Sequence, residues 1–195
     1  MATPLTFPAS EAALRALRAG DEVRISGRLL TAREAGHRLL VRPDQAPPRG
    51  WTEGALLYHC GPVVARDPAT GAWRFVAAGP SRSSRVEALA PEVLARCGVR
   101  GLLGKGGMGP ETLEALRRHG AVYLHAGPQL AVTLARHVTR VVDVHGLDAL
   151  GLTEALWLVE VEDFPATVTM DAHGESLHAP LRPEGGEERH EPAAG

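Results

Sequence analysis

The first part of the chain mixes two periodicities of apolar and polar residues. Residues 10–19 carry leucines and alanines at helical spacing, which predicts a helix, and residues 23–29 alternate apolar with polar side chains, which predicts a strand. The next segment, 31–37, predicts a short helix or turn that presents Arg33 and His37 on one face, one helical turn apart. A helix and a strand therefore precede the first cluster of cationic side chains.

The middle of the chain is apolar and punctuated by turn residues. Residues 55–65 predict one buried strand interrupted at Gly61-Pro62, and the sequence DPATG at 67–71 predicts a hairpin turn into a second strand at 73–77. A helix is then predicted to open near residue 81 and to run to residue 97.

From residue 98 onward, strand and helix patterns alternate regularly. Strands are predicted at 99–103, 121–125 and 140–144, with helices between them at 110–119 and 129–137. Apolar strands separated by helices are typical of right-handed βαβ units with parallel strands, so the predicted fold class is α/β. Residues 155–171 predict a further strand in two halves, broken at Asp163-Phe164-Pro165.

Composition narrows the class of protein. The 195 residues suffice for one substantial core, and the net charge of −2 excludes a global attraction to nucleic acid or to an anionic membrane. Charged residues interrupt the first 20 positions where a signal peptide would be apolar, and no run approaches the roughly 18 apolar residues of a membrane span. We therefore expect a cytoplasmic protein.

Three regions are predicted along the chain. Residues 1–19 form an N-terminal helical segment, residues 20–178 form the main domain, and the polar, Pro/Gly-rich residues 179–195 form a disordered tail.

No metal site is predicted in this chain. Cys60 and Cys97 are its two cysteines and form no CxxC pair, and the nine histidines include no HExxH motif. Capping and surface roles are the ordinary explanation for most of these histidines.

Two loops at the predicted carboxyl ends of strands carry candidate chemistry. The glycine-rich turn at 101–109, GLLGKGGMG, contains Lys105 as its one charged residue, and the loop at 79–85 offers Ser81 and Arg85. Lys105 is not followed by the Ser or Thr of a P-loop, and the GxGxxG spacing from residue 104 is weak because no acidic residue follows a second strand. If the two loops are neighbours, they form a site for a carboxylate or a phosphate.

A structural explanation of these residues stays open. Ser81 could simply cap the following helix while Arg85 faces solvent. The turn at Lys105 could be a tight turn that needs glycine for a positive φ.

Several motifs, in order along residues 20–178, resemble one enzyme family. The sequence is similar to the β subunit of two-subunit class I fumarate hydratases and L-tartrate dehydratases, which corresponds to the C-terminal domain of one-chain class I fumarases. The matching segments are GDEVRISGRLLTAREAGHRLL at 20–40, YHCGPVV at 58–64, AGPSRSSRVE at 78–87, GVRGLLGKGGMGPETLEAL at 98–116, GAVYLHAG at 120–127 and ALWLVEVEDFPATVTMDAHG at 155–174.

The resemblance implies a fold, an activity and a partner. The expected fold is a swivelling β/β/α domain with a mixed sheet, parallel βαβ units and helices packed on it. The expected activity is reversible addition of water to the C=C bond of a small dicarboxylate, fumarate/malate ahead of tartrate/oxaloacetate. A [4Fe–4S] cluster is expected on three cysteines of a partner α subunit and not on this chain, with the subunits forming a hetero-oligomer such as a heterotetramer.

The same resemblance assigns roles to individual residues. Ser81 stands at the first threonine of the family's GPTTxxRM motif, the proposed catalytic base, and Arg85 and Lys105 would supply the neighbouring positive charge. Arg33 would clamp a substrate carboxylate, His37 belongs to the same turn, and Gly106 and Gly107 would let the backbone approach the acid. Arg82 replaces the motif's second threonine, so fumarate, tartrate and a non-catalytic carboxylate-binding or scaffolding module all remain open at this stage.

Overall fold

The computed structural model describes residues 2–127 and 129–178, so the predicted tail 179–195 lies outside the described residues. The strands are β1 Thr3–Phe7, β2 Glu22–Thr31, β3 Leu56–Tyr58, β4 Val63–Arg66, β5 Trp73–Ala77, β6 Gly101–Gly104, β7 Val122–Ala126, β8 Val138–His145 and β9 Leu156–Met170. The helices are α1 Glu11–Arg15, α2 Glu34–Leu40, α3 Ala90–Cys97, α4 Pro110–His119, α5 Ala131–Ala135 and α6 Leu147–Leu150. None of these described helices is long and apolar enough to cross a membrane.

A mixed sheet organises the chain, as the α/β prediction requires. Strands β1, β2, β3, β6 and β7 pair in parallel in that order. The long strand β9 runs antiparallel and pairs with β7 on one edge and with β2 on the other, so β2, β3, β6, β7 and β9 close into a ring. The unit β6-α4-β7 is the predicted parallel βαβ unit, with α4 inside its predicted bounds.

Two apolar cores lie on opposite faces of this sheet. One contains Leu56, Tyr58 and Trp157 among the largest fully buried side chains and collects residues from β1, β2, β7 and β9. The other contains Leu57 and Tyr123 and packs against the buried residues of α2, α3 and α4. Alternation of side chains along β3 assigns Leu57 and Tyr58 to different cores, as a strand buried on both faces requires.

Three strand predictions are wrong in detail. Strand β8 is antiparallel and pairs with β9 alone, because α5 has only five residues and does not carry the chain across to a parallel position. Residues 55–65 form two strands in different sheets, since the chain turns at Gly61-Pro62 and β4 pairs with β5 in a separate hairpin. Strand β9 is continuous, because Asp163 takes a φ of 53° and forms a bulge opposite β2 instead of ending the strand.

The helix predicted from residue 81 begins later. A 3-10 turn at Ser83–Val86 precedes α3, which begins at Ala90 with Pro91 in its first turn. The first turn of a helix tolerates proline. In a helix that continued from residue 81, the Pro91 ring would collide with the carbonyl of residue 87. Strand β1, which the sequence analysis did not predict, precedes α1 in the N-terminal segment.

Candidate active site

The loops that carry Ser81 and Lys105 lie side by side. The Lys105 amide donates to the carbonyl of Ser81 at 3.3 Å, and the Ser83 amide donates to the carbonyl of Lys105 at 3.0 Å. The Ser81 amide in turn donates to the carbonyl of His59 at 2.6 Å. The 79–85 loop therefore makes isolated backbone bridges to the residues that follow β3 and β6, and the two predicted loops are neighbours.

Ser81 is half-buried and does not cap a helix. The residue before the 3-10 turn is Arg82, no described side chain caps that turn, and α3 starts nine residues after Ser81. The capping alternative is therefore wrong, and the Ser81 hydroxyl is not committed to a helix terminus.

The N-terminus of α4 is occupied by a carboxylate of this chain. The two oxygens of Glu87 accept from the amides of Gly109 at 2.7 Å and Thr112 at 3.1 Å. A carboxylate is the group that the positive end of a helix favours. The bare amides that the sequence predicted to bind an external anion are thus partly satisfied from within, and Lys105 and Gly106 are the exposed residues of the turn.

Gly106 and Gly107 both need the absence of a side chain. Their φ angles are +83° and +71°, a region that residues with a Cβ rarely adopt. A Cβ on Gly107 would also overlap the ring of His178, whereas a Cβ on Gly106 would meet only Arg82 Cγ at 3.9 Å. The turn is therefore held by backbone conformation at Gly106, and by both conformation and packing at Gly107.

Arg33 and Arg85 lie on either side of one carboxylate. Glu34 Oε2 is 3.8 Å from Arg33 Nε, and Glu34 Oε1 is 3.9 Å from Arg85 Nη1. Arg33 Nε also lies 3.4 Å from Glu154 Oε1, while Glu154 Oε2 accepts from the Ala35 amide at the start of α2 at 3.0 Å. Two guanidinium groups predicted to bind substrate thus share Glu34 as their local counter-ion.

Arg33 is also held by the close approach of the backbone. A Cβ on Gly61 would lie 2.7 Å from Arg33 Cδ, so the Arg33 stem fits only because residue 61 is glycine. Arg85 is less constrained, since 60% of its side chain is exposed.

His37 is buried behind Arg33 and does not reach the surface. Its Nδ1 lies 2.9 Å from the Arg33 carbonyl. Burial lowers the pKa of His37 to about 4, and the hydrogen bond to Arg33 offsets part of that effect. A buried neutral histidine supports the residues around it rather than contacting a ligand.

Four buried polar side chains form a line under the two loops. The His37 and His59 rings meet edge to face with centroids 5.0 Å apart. His59 Nδ1 lies 2.8 Å from Ser83 Oγ, which lies 2.9 Å from the Tyr123 hydroxyl. Burial and the neighbouring His37 hold the pKa of His59 well below its ordinary value, and burial raises the pKa of Tyr123 to about 12.

The cysteines of this chain do not fit the iron–sulfur cluster that the resemblance implies. Burial raises the pKa of Cys60 to about 12 and raises the pKa of Cys97 as well, which disfavours the thiolates that bind iron. Within residues 2–127 and 129–178, no group of three His, Cys, Asp or Glu side chains is placed to hold a metal ion.

Sequence reasoning missed His59, Ser83, Glu87 and Tyr123. Each lies inside a segment that carries the family resemblance, and Ser83, Glu87 and Tyr123 do not stand out there by residue type or spacing. For His59 a signal existed: it is a polar residue directly after the fully apolar strand β3, at the edge where ligands bind in α/β sheets.

Comparison with known proteins agrees with the resemblance. The profile of the family described as Fumarase C-terminus matches residues 3–181. A Geobacillus stearothermophilus protein provisionally named fumarate hydratase class I is 44% identical over 176 residues, which are 89% of this chain and 33% of that protein. The chain thus spans about a third of the length of that relative.

Two further relatives are separate subunits. The Escherichia coli (strain K12) L(+)-tartrate dehydratase subunit beta is 34% identical over 90% of this chain and 86% of its own length. A Methanocaldococcus jannaschii protein provisionally named L(+)-tartrate dehydratase subunit beta is 34% identical over 85% of each chain. A family profile that spans nearly the whole chain, together with these relatives, shows that the protein belongs to the Fumarase C-terminus family.

Proposed function

We propose that this chain is the β-type subunit of an iron–sulfur hydro-lyase that interconverts fumarate and (S)-malate. The observation that carries the proposal is the backbone pairing of the Ser81 and Lys105 loops, beside two arginines that share one carboxylate. The higher identity to a relative named for fumarate hydration, 44% against 34%, favours fumarate as the substrate.

The cations of the site suit a small diacid. A dicarboxylate carries two negative charges, and Arg33, Arg85 and Lys105 offer three positive ones. A guanidinium binds a carboxylate through two parallel hydrogen bonds, which fixes orientation as well as position. The exposed Gly106 amide adds a backbone donor beside Lys105, and the buried Gly107 fixes the conformation of the turn. Substrate would replace Glu34 as the partner of the two arginines, while Glu154, 3.4 Å from Arg33 Nε, would stay as a second counter-ion of Arg33.

Ser81 is the candidate base. A serine hydroxyl is a weak base at its normal pKa, and positive charge beside it favours the alkoxide. Arg85 on the same loop and Lys105 on the paired loop supply that charge. Ser81 Oγ would take the proton from the substrate carbon while the carboxylates stay bound to the arginines and to Lys105.

A partner subunit completes the site. Since the described cysteines do not fit a cluster, we assign the [4Fe–4S] cluster to a partner α subunit, where it would supply the Lewis acid for the departing hydroxyl group. Two of the relatives are named as β subunits, which supports a hetero-oligomer such as a heterotetramer. We further assign the mixed sheet to the swivelling β/β/α type and the enzyme to the cytoplasm.

L-tartrate dehydration is the alternative activity. The two β-subunit relatives are named for tartrate, and the chain covers 85–86% of each of them. Arg82 in place of the motif's second threonine adds a cation beside Ser81 that could suit a substrate with a second hydroxyl.

One experiment tests the proposed function. The chain is co-expressed without oxygen with the α subunit from its own genome, the cluster is reconstituted, and rates are measured in parallel on fumarate, (S)-malate and L-tartrate. We expect the highest kcat/KM on the fumarate/malate pair. Preference for tartrate supports the alternative, an inactive complex that still binds diacids indicates a non-catalytic module, and turnover by the isolated chain without iron contradicts the two-subunit assignment.

A further inference from the structure

The buried line from His37 to Tyr123 connects two residues of the proposed site. One end is at Arg33, because His37 Nδ1 contacts the Arg33 carbonyl at 2.9 Å. The other end is at Gly107, because the Tyr123 ring packs edge to face on His178 with centroids 5.9 Å apart, and the His178 ring fills the place where a Gly107 side chain would stand. The line passes under Ser81, because the Ser81 amide is bonded to the His59 carbonyl at 2.6 Å.

The direction of the hydrogen bonds follows from donor and acceptor chemistry. A carbonyl only accepts, so His37 carries its proton on Nδ1 and its Nε2 is an acceptor. At the other end the buried Tyr123 hydroxyl has Ser83 Oγ as its described partner, and its proton would be left unpaired if Ser83 were the donor. Tyr123 therefore donates to Ser83 Oγ. Ser83 then donates to His59 Nδ1, which leaves the His59 proton on Nε2.

The two histidines face each other with complementary nitrogens where the two halves of the line meet. His59 Nε2–H is a donor and His37 Nε2 is an acceptor, both are buried, and neither has a hydrogen-bond partner within the described residues. Their rings are already in edge-to-face contact. This ring contact is the step by which the His59 half of the line reaches the Arg33 half.

The backbone makes room for this line of buried side chains. A Cβ on Gly104, the last residue of β6, would overlap the Ser83 hydroxyl and lie 3.1 Å from His59 Nδ1. The strand therefore ends in glycine where the His59–Ser83 pair occupies the space of a side chain. The hydrogen bond from the Ser83 amide to the Lys105 carbonyl holds the same pair against the glycine-rich turn.

We propose that His59 is a positioning residue of the site, which holds Gly107 through Ser83 and Tyr123, Arg33 through His37, and Ser81 through its own carbonyl. This inference rests on the proposed function for its catalytic consequence. His59 touches no substrate in this arrangement. Its role is to fix the distance between Arg33 and the glycine-rich turn that carries Lys105.

A first experiment tests the line of hydrogen bonds without using catalysis. Nitrogen-15 NMR of the histidine rings in the full chain at pH 7 should show His37 protonated on Nδ1 and His59 on Nε2. Tyr123→Phe should shift the signals of the His59 ring, the Gly107 amide and Arg33 Nε. A His59 proton on Nδ1, or no response at Arg33, would overturn the proposal whether or not the complex is a hydro-lyase.

The matched control is Tyr58→Phe. It also removes a buried tyrosine hydroxyl, bonded to the Ala78 carbonyl at 2.5 Å, but Tyr58 belongs to the core on the opposite face of the sheet. This variant should leave the His37 and Arg33 Nε signals unchanged. A shift as large as that in Tyr123→Phe would show that the response reports a general loss of a buried hydroxyl.

A second experiment measures the catalytic consequence in the complex with the α subunit. Tyr123→Phe should raise KM for the diacid about tenfold with a smaller change in kcat, since the binding groups move apart while the base remains. His59→Asn keeps an amide near the Nδ1 position for Ser83 and should recover more of the KM than His59→Leu. Unchanged KM in a folded Tyr123→Phe complex would overturn the positioning role. A wild-type complex inactive on every diacid would refute the proposed function, while the NMR result would still decide whether the line of hydrogen bonds exists.

Discussion

Lys105 donates its backbone amide to the carbonyl of Ser81 at 3.3 Å, so the residue proposed as base and the residue proposed as cation belong to one piece of paired backbone. An isolated parallel bridge between Arg82 and Lys105 continues the pairing. Main-chain hydrogen bonds therefore set the relative position of the Ser81 and Lys105 backbones, and the exposed lysine side chain has to order when an acid binds.

Replacing Ser81 tests its role as base. Ser81→Ala should lower kcat about 10²–10⁴-fold, the usual contribution of a general base, and leave binding of the α subunit intact. Ser81→Thr restores the hydroxyl in the form that the family motif carries and should keep most of the rate. Steady-state rates on malate and size-exclusion chromatography of each complex give the two readouts, and an alanine variant near full rate would contradict the assignment.

Removing Glu87 should loosen the glycine-rich turn. Its carboxylate accepts from Gly109 and Thr112, so Glu87→Ala leaves two amides of α4 unpaired and removes the negative charge at the positive end of the helix. We expect the free energy of unfolding to fall by about 1–2 kcal/mol, measured by urea denaturation. Glu111→Ala is the control, because Glu111 is exposed in the same first turn of α4 and its carboxylate makes no bond to these amides. Equal losses in the two variants would mean that the Glu87 contacts add nothing beyond charge.

The parts of the fold that could be predicted are those with a local cause. Helix α4 occupies its predicted residues because Pro110 begins it, Gly120 ends it in the left-handed region, and its apolar residues follow the helical period. In the 67–71 turn, likewise, the amides of Ala69 and Thr70 donate to the Asp67 carboxylate. Such signals are local, because each lies within one element and the turn beside it.

The parts that could not be predicted depend on distant partners. Strand β8 has the apolar pattern of a parallel strand, and only its pairing with β9 makes it antiparallel. Glu87 looks like one more surface acid until α4 is placed above it, and His59 and Tyr123 are joined only after β3, β6 and β7 are aligned. The charged members of the site could be named from motifs, while the groups that hold them in place required the structure.

Protonation of His37 should destabilise the fold in mild acid. Its pKa is about 4 in the folded protein and near 6.5 when the chain unfolds, so the unfolded chain binds more protons between these values. The stabilising effect of the neutral ring is fully present above pH 6.5 and is lost as the pH falls towards 4. For this fully buried group the loss between pH 7 and pH 5 is about 2 kcal/mol.

His37→Asn isolates this effect. Asparagine keeps a donor for the Arg33 carbonyl and cannot take up the proton. Its free energy of unfolding should therefore decrease less than that of the wild type between pH 7 and pH 5, by about the same 2 kcal/mol. Urea unfolding at several pH values provides the comparison, and two parallel pH curves would show that His37 is not the group responsible.

The two glycines after Lys105 should respond differently to the same substitution. Gly106→Ala forces a Cβ into a left-handed conformation with open space around it, at a cost of roughly 1–2 kcal/mol. Gly107→Ala incurs the same strain and also drives the Cβ into the ring of His178, so its loss of stability should be clearly larger.

His178 is anchored by a 2.9 Å contact between its Nε2 and Thr169 Oγ1, so it cannot move aside without breaking that bond. His178→Ala in the Gly107→Ala background should then recover the difference between the two glycine variants, because it removes the collision and leaves the strain. Urea unfolding of the single and double variants forms a double-mutant cycle, and a zero coupling between residues 107 and 178 would contradict the packing argument.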